Sequence, residues 1–333
     1  MAKKIRILSI DGGGIRGIIP AVILNEIEEK LRKKSGNDNA RLQDYFDMIA
    51  GTSTGGILSC LYLHTKRFEA KDAVELYVKN GEKIFKPKGS VLFNWAVECF
   101  SSKYSATGLE TALNDKFGNC RLSELNKCSL ITAYDIVNRK AVLFTVPEAK
   151  ENPLQHRDFY LKDIARATSA APTYFEPAVI KSLGKETHNL IDGGMFANDP
   201  SLCALVEARK THFENHSQPT IKDVYMVSLG TGKEASPLDP KKAASWGLLK
   251  WATHVVDILM TASPEVVSYQ LKQLFDVAGC SDSYVRLQPG LYKAKPDMDD
   301  VSKANIANLV DAGTQYVKQN GEKLDKIVEQ LLS

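Results

Sequence analysis

The pentapeptide Gly51-Thr52-Ser53-Thr54-Gly55 lies between two apolar runs, and this arrangement decides the fold class. The run Phe46 to Ala50 has the length of a buried strand, and the run Ile57 to Leu63 continues as a helix. A G-x-S-x-G turn between a strand and a helix holds the serine backbone in a strained conformation that small neighbours permit. The turn therefore predicts that the Ser53 hydroxyl stands above the edge of a sheet, where a nucleophile is expected. An ordinary turn rich in serine and threonine has the same pattern, so the rest of the chain must distinguish the two.

A similar strand, loop and helix unit precedes this one. The β-rich run Ile5 to Ile10 stops at Asp11-Gly12-Gly13-Gly14-Ile15-Arg16-Gly17, and Pro20 opens a helical pattern that lasts until Gly36. Strands that alternate with helices are typical of an α/β domain with a mostly parallel sheet. Functional loops are then expected at the carboxyl ends of the strands.

The remainder of the chain continues this pattern and then becomes mostly helical. Further β-rich runs lie at residues 129–134, 141–146, 187–191, 224–229 and 284–287. Helical patterns lie at residues 70–77, 107–117, 161–171, 200–212 and 245–260 and near the C-terminus. Since no internal repeat or long linker is visible, we predict one domain over residues 1–333. Its core covers about residues 4–232, and a helical C-terminal extension, residues 233–333, packs on it.

Composition excludes several classes of protein. Hydrophobic residues make up 44% of the 333 residues, which is enough for a large core. The net charge is only +3, with 43 basic and 40 acidic residues mixed along the chain, so a nucleic-acid polymer is a poor candidate partner. The six cysteines are widely separated and form no C-x-x-C pair, which favours reduced, buried thiols.

The N-terminal sequence has basic residues but only a short apolar run before Asp11, too short for the core of a signal peptide. No run approaches the roughly 20 apolar residues of a membrane-spanning helix. The expectation from the sequence is a soluble, cytoplasmic protein.

The glycine-rich stretch Gly12 to Gly17 also fits the G-x-G-x-x-G pattern of dinucleotide sites. Such a site expects an acidic residue at the end of the next strand, but here that strand runs into Ser53. The stretch also lacks the Lys-Ser/Thr ending of a P-loop. We therefore favour a different use, in which its backbone N–H groups at a helix N-terminus form an anion site for a developing oxyanion. Arg16 either adds positive charge there or pairs with a carboxylate.

A nucleophilic serine needs a base, and none of the six histidines is marked out by its surroundings. His212 and His216 have i,i+4 spacing, but without an H-E-x-x-H pattern a zinc site is not indicated. Asp192 is a stronger candidate because it ends a β-rich run and two glycines follow it. With a free pKa of about 3.9 a carboxylate base gives no rate step near pH 6.5, although desolvation raises such a pKa and strengthens the base.

Three stretches together resemble the motifs of the patatin-like phospholipases, in the order of that family: Asp11 to Gly17, Gly51 to Gly55, and Asp192-Gly193-Gly194. The stretches Ala167 to Pro172 and Asn198-Asp199-Pro200 also look familial. The resemblance covers roughly Lys4 to Gly232 and, more loosely, the C-terminal part. It implies a three-layer α/β/α sandwich and acyl-ester hydrolysis by a Ser-Asp dyad, without histidine, metal or cofactor. The residues implied by motif match are Ser53 as nucleophile, Asp192 as base, Gly12, Gly13, Gly14 and Arg16 as the oxyanion site, and Gly51, Gly55, Gly193 and Gly194 as supports.

The resemblance implies a phospholipase A or lysophospholipase that releases fatty acids from membrane glycerolipids through an acyl-enzyme. It points to the bacterial, cytoplasmic type, of which some relatives are activated by cyclic nucleotides in antiviral signalling, although no residue here identifies a nucleotide pocket. The alternative is a non-catalytic lipid or acyl-group carrier on the same fold.

Peripheral contact with a bilayer is expected from two segments, Ile84 to Tyr104 and Ser245 to Met260, which carry all three tryptophans. The alternative is a helical cover buried on the sheet.

Overall fold

One eight-stranded sheet lies at the centre of the structure, a computed structural model that describes residues 3–88, 102–151, 154–214, 216–233 and 238–333. Its strands in chain order are β1 (Ile5–Ile10), β2 (Met48–Thr52), β3 (Cys128–Asp135), β4 (Lys140–Thr145), β5 (Ala178–Lys181), β6 (Thr187–Asp192), β7 (Val224–Leu229) and β8 (Tyr284–Leu287). The spatial order is β5-β6-β3-β2-β1-β7-β8, and β4 also pairs with β3. All but β5, a short strand of sequence AVIK, were predicted.

The centre of the sheet is parallel, as predicted. Strands β3, β2, β1, β7 and β8 run in one direction, while β4 and β6 are antiparallel to β3 and β5 is antiparallel to β6. Ile10 at the end of β1 pairs with Gly51 on one side and Leu229 on the other. The loops that follow β1, β2 and β7 therefore meet at one edge.

Helices cover both faces of this sheet. In the described residues they are α1 (Ile18–Ser35), α2 (Leu42–Tyr45), α3 (Thr54–Leu63), α4 (Lys71–Ile84), α5 (Ala106–Phe117), α6 (Val146–Glu151), α7 (Leu161–Thr168), α8 (Gly194–Ala197), α9 (Ser201–Lys210), α10 (Pro240–Ala243), α11 (Leu248–Val277), α12 (Lys303–Gln319) and α13 (Gly321–Leu332). No helix in this part of the chain has the length and apolar character needed to cross a bilayer.

Alternate residues of the buried strands supply two hydrophobic cores. Leu8 and Ile10 of β1 pack with α1, α3 and α4, whereas Ile5 and Ile7 face the other side with Leu205 of α9. All six residues of β1 are buried, as expected for a parallel strand covered on both faces. The protein is thus a three-layer α/β/α sandwich.

The residues after 232 join this architecture directly. Strand β8 extends the sheet beside β7, and α12 packs against α1 so closely that a Cβ on Gly313 would lie 2.7 Å from Cβ of Val22. The helix expected to end near Met260 instead belongs to α11, which is 30 residues long in total and continues through Pro264 to Val277.

Candidate active site

Ser53 occupies the sharp turn between β2 and α3. Its backbone has φ 55° and ψ −122°, a strained conformation for a residue other than glycine. The turn is possible only because its neighbours lack side chains: a Cβ on Gly51 would lie 2.1 Å from the Gly55 carbonyl oxygen, and one on Gly55 would lie 2.1 Å from that of Ile10. The Ser53 N–H donates to Thr168 Oγ1 at 2.9 Å. Thr168, which belongs to the stretch Ala167 to Pro172 that resembles the family, thus holds the turn in place.

Asp192 is the last residue of β6 and is buried beside Ser53. Its Oδ1 accepts the Gly194 N–H at 2.7 Å, and its own N–H donates to the Ala170 carbonyl oxygen at 3.0 Å. Its Oδ2 is buried and accepts no hydrogen bond from the described residues. Burial raises the pKa of Asp192 to about 7, although the nearby Ser53 side chain and the Gly194 N–H both lower it. A carboxyl group in this state can take a proton from a neighbouring hydroxyl near neutral pH.

The glycine loop after β1 touches the same turn. A Cβ on Gly12 would lie 3.2 Å from Cβ of Ser53. The Gly12 N–H, however, already donates to the Asn198 carbonyl oxygen at 3.0 Å, so it is not a free oxyanion donor. The N–H groups of Gly13 and Gly14 have no acceptor within the described ranges, and Gly14 has a left-handed φ of 58°. Of the three glycines expected to bind an oxyanion, these two keep an available donor.

Arg16 contacts the glycine loop at Gly13. Its Nε donates to the Gly13 carbonyl oxygen at 3.4 Å, and its side chain is buried at the wall of a groove that Asp11 also lines. This contact places Arg16 where it can hold the loop in shape.

Arg286 of β8 holds the loop from the other side, and the sequence interpretation missed it. Its guanidinium binds both oxygens of Asp11, at 2.8 and 2.5 Å, and also contacts Asp199 at 3.2 Å and Ser228 Oγ at 2.7 Å. Burial alone lowers the pKa of Arg286, but Asp11 and Asp199 raise it above its ordinary value, so the charge is maintained. The only signal in the sequence is Asp11 itself, an acidic residue that directly follows a buried strand and therefore needs a partner.

Asn198 connects the glycine loop to α11. Its Nδ2 donates to the Met260 carbonyl oxygen at 2.6 Å, and its backbone carbonyl accepts the Gly12 N–H. In a regular helix residue 264 donates to residue 260, but Pro264 has no N–H, so Met260 depends on this side-chain donor. The position in α11 that lacks a backbone hydrogen bond is therefore connected to the candidate site by Asn198.

An apolar cavity of about 50 Å³ opens in front of Ser53. Its lining in the described part of the chain comprises Gly14, Ser53, Thr54, Ile57, Tyr77, Ile84, Phe85, Leu109, Ser169, Ala171, Tyr174, Phe175, Met260 and Met298. No histidine belongs to this set; His64, for example, is buried against the Phe117 carbonyl oxygen at 3.2 Å. Ligand sites typically measure about 300–1,000 Å³, so the cavity must widen to admit a long acyl chain.

Both segments expected at a bilayer reach this cavity, through Ile84, Phe85 and Met260. Trp95 and the rest of residues 89–101 lie outside the described residues. In the described ranges no group of three or more His, Cys, Asp or Glu side chains could hold a metal ion.

Comparison with known proteins points to one family. The model of the family described as Patatin-like phospholipase matches residues 8–204. Patatin-like protein 2 of Oryza sativa subsp. indica is 34% identical, over 97% of this chain and 86% of its own. Patatin-T5 of Solanum tuberosum is also 34% identical, with the same coverage.

Two further matches are a relative named as probably inactive and a solved structure. Probable inactive patatin-3-Kuras 1 of Solanum tuberosum is 34% identical over 96% of this chain and 88% of its own. The solved structure of VipD from Legionella pneumophila aligns with a TM-score of 0.41 and 12% identity over 95% of this chain and 67% of its own, a likeness too weak to carry an argument.

Proposed function

Because this chain belongs to the patatin-like phospholipase family, we propose that it is a serine lipid acyl hydrolase with Ser53 as nucleophile and Asp192 as general base. One observation carries the assignment: the strained Ser53 turn faces an apolar cavity, and the buried carboxyl group of Asp192, with Oδ2 lacking a partner among the described residues, lies beside it. The geometry supports a dyad because no histidine in the described part of the chain lines this cavity.

The first half-reaction forms an acyl-enzyme. Asp192 accepts the proton of the Ser53 hydroxyl while Oγ attacks the ester carbonyl carbon, and the alcohol leaves with that proton. Negative charge then develops on the carbonyl oxygen, and the N–H groups of Gly13 and Gly14 are the donors available to it. Gly12 contributes close approach to Ser53 rather than a hydrogen bond.

The second half-reaction releases the fatty acid. Asp192 takes a proton from water, the hydroxide adds to the acyl carbon, and the bond to Ser53 Oγ breaks as the proton returns to the serine. The apolar cavity suits an acyl chain, so membrane glycerolipids are the proposed substrates and phospholipase A or lysophospholipase the proposed class. No step in this scheme requires a metal or a cofactor.

Labelling with a fluorophosphonate tests the nucleophile. We expect stoichiometric labelling of the wild-type protein and none of Ser53→Ala, with release of fatty acid from mixed membrane lipids by the wild type alone. Asp192→Asn should fold and lose turnover. Asp135→Asn is a matched control, since Asp135 is also buried at the end of a central strand but binds Asn138 and Val137 instead of a serine. A labelled but inert Ser53 would contradict hydrolysis.

A non-catalytic lipid or acyl carrier is the second candidate. One relative carries the name Probable inactive patatin-3-Kuras 1, which is why this alternative needs its own test. A carrier would bind fatty acid stoichiometrically and release none, and the same labelling experiment separates it from the hydrolase.

Regulation and origin stay predictions. The three relatives of 34% identity come from plants, whereas the sequence resemblance points to a bacterial, cytoplasmic type of which some members are activated by cyclic nucleotides. A nucleotide-dependent rise in fatty-acid release by the purified protein would support that activation. Unchanged release with every cyclic nucleotide tried would oppose it.

A further inference from the structure

The described side chains of helix α11 form two apolar faces, one buried and one exposed to solvent. Met260, Pro264, Leu271 and Phe275 face the molecule. Among the side chains of this helix that the structure describes, seven large apolar ones are exposed to solvent: Trp251, Val255, Leu259, Val266, Tyr269, Leu274 and Val277. The exposed set extends 17 residues beyond Met260, the predicted end of this helix.

Most of these exposed side chains form a single stripe. At about 100° per residue, all but Leu274 fall within a sector of about 80° that lies opposite the buried face. The described charged residues of α11 all lie outside this sector: Lys250, Glu265, Lys272 and Asp276. From Trp251 to Val277 the stripe is about 39 Å long at about 1.5 Å per residue.

We propose that this stripe, which we call the α11 stripe, is the surface by which the protein docks on a lipid bilayer containing anionic lipids. The proposal rests on the proposed function, because a lipid hydrolase must reach its substrate at a membrane. Met260, on the opposite side of the same helix, lines the cavity in front of Ser53. Docking through the stripe therefore holds the catalytic cavity one helix diameter, roughly 10 Å, from the lipid surface.

Charge at the N-terminal end of α11 supports a bilayer as the partner. Lys241, Lys242 and Lys250 are exposed there, and Lys250 lies 5.5 Å from the ring centre of Trp246. Lysines beside exposed Trp, Tyr and aliphatic side chains match the composition of helices that lie in a membrane interface.

The size of the stripe disfavours a second copy of the chain. A stripe about 39 Å long and about one helix diameter, 10 Å, wide covers about 400 Å². A stable protein interface buries about 800 Å² per partner, so this face alone is too small for a stable dimer. It does fall in the range of patches, about 300–600 Å², that are often functional on monomers.

Vesicle co-sedimentation of the full-length protein tests the docking surface. The probe is a phosphatidylcholine vesicle that contains about 30% phosphatidylglycerol. For Val255→Glu/Leu259→Glu we expect the partition coefficient onto these vesicles to fall at least about tenfold. Hydrolysis of a soluble p-nitrophenyl ester should stay within about twofold. Val206→Glu is the matched control, since Val206 is 61% exposed on α9, and it should bind like the wild type.

A second measurement uses tryptophan fluorescence, which needs only the wild-type protein and conservative Trp→Phe variants. Brominated lipid should quench tryptophan fluorescence, and Trp251→Phe should remove more of that quenching than Trp246→Phe, because Trp246 is stacked on His254 at 3.9 Å and is less exposed. Lys241→Glu/Lys242→Glu should weaken binding to vesicles with phosphatidylglycerol and leave binding to pure phosphatidylcholine unchanged.

Three results overturn the proposal. The first is unchanged vesicle binding by Val255→Glu/Leu259→Glu, and the second is an equal loss of vesicle binding in Val206→Glu. The third is a wild-type protein that does not bind vesicles but forms a concentration-dependent dimer, which Val255→Glu/Leu259→Glu disrupts. If the wild type docks through the stripe but hydrolyses no ester, the proposed function fails and the docking surface stands.

Discussion

Asn198 donates its side-chain amide to the carbonyl oxygen of Met260, which is the carbonyl that Pro264 leaves without a helical partner. The same residue accepts the Gly12 N–H through its backbone carbonyl. One residue therefore replaces the hydrogen bond missing from α11 through its side chain and joins that helix to the loop beside Ser53 through its backbone.

A double-mutant cycle measures this coupling. Asn198→Ala should lower the free energy of unfolding by about 1–3 kcal/mol, because it leaves the Met260 carbonyl buried and unpaired. In a Pro264→Ala background the loss should be smaller by at least about 1 kcal/mol, since an alanine at that position supplies the missing backbone N–H. Urea unfolding of the four proteins gives the coupling energy, and strictly additive losses would show that the two residues are independent.

The activity of the wild-type enzyme should depend on pH through Asp192. Because burial raises the pKa of Asp192 to about 7, kcat/KM on a soluble ester should fall tenfold per pH unit below about pH 7, as the base becomes protonated. The expectation that a carboxylate base gives no step near pH 6.5 does not hold for this buried group. The pH profile thus cannot separate a carboxylate from an imidazole.

Six single His→Ala variants, each checked for folding, distinguish a carboxylate base from an imidazole base. All six should keep their turnover if Asp192 acts directly on Ser53. One folded histidine variant as inactive as Ser53→Ala would replace the dyad by a triad.

The raised pKa of Asp192 also predicts a pH-dependent gain of stability in Asp192→Asn. Between about pH 4 and pH 7 the unfolded chain ionises Asp192 while the folded protein keeps it protonated, so the wild type loses stability as the pH rises through this window. The melting temperature of Asp192→Asn should therefore exceed that of the wild type above pH 7, with the difference shrinking toward pH 4. A constant difference across this range would argue against the shift.

The ion pair of Arg286 with Asp11 should act on turnover through the glycine loop. Arg286→Lys keeps the charge but not the two parallel hydrogen bonds, so we expect kcat on a soluble ester to fall at least about tenfold with KM nearly unchanged. Arg67→Lys is the control, because Arg67 grips Asp44 in the same two-bond geometry on the surface. Equal effects of both changes would mean that Arg286 contributes only to stability.

Gly14 should be irreplaceable for a reason that Gly36 does not share. Both have a left-handed φ, 58° and 66°, but a Cβ on Gly14 would lie 2.2 Å from the Met298 carbonyl oxygen, whereas one on Gly36 meets nothing within 4 Å. Gly14→Ala must displace the loop and should reduce kcat by about 100-fold or more. Gly36→Ala should cost about 1–2 kcal/mol of stability and leave the kinetics intact. Assays of both variants at matched folded concentration test this.

Short-range patterns were enough to predict the frame of the molecule. The apolar runs around Ser53 and the glycines at 51 and 55 specify a strand, a strained turn and a helix, because hydrophobic spacing and the steric demands of a turn act over a few residues. Alternation of such units predicted the mostly parallel sheet. The three motifs, taken together, named the candidate nucleophile and base.

Only the tertiary structure determined the contacts, the available hydrogen-bond donors and the pKa values of those residues. Arg286 meets Asp11 across 275 residues of chain, and nothing local marks that pair. Whether Gly12 has a free N–H depends on where Asn198 packs, and the pKa of Asp192 depends on how completely the fold excludes water around it. Helix α11 passes Pro264 because a distant amide replaces the lost hydrogen bond. Desolvation and long-range contact are properties of the packed chain, so the sequence determined the parts of this site and the fold determined their state.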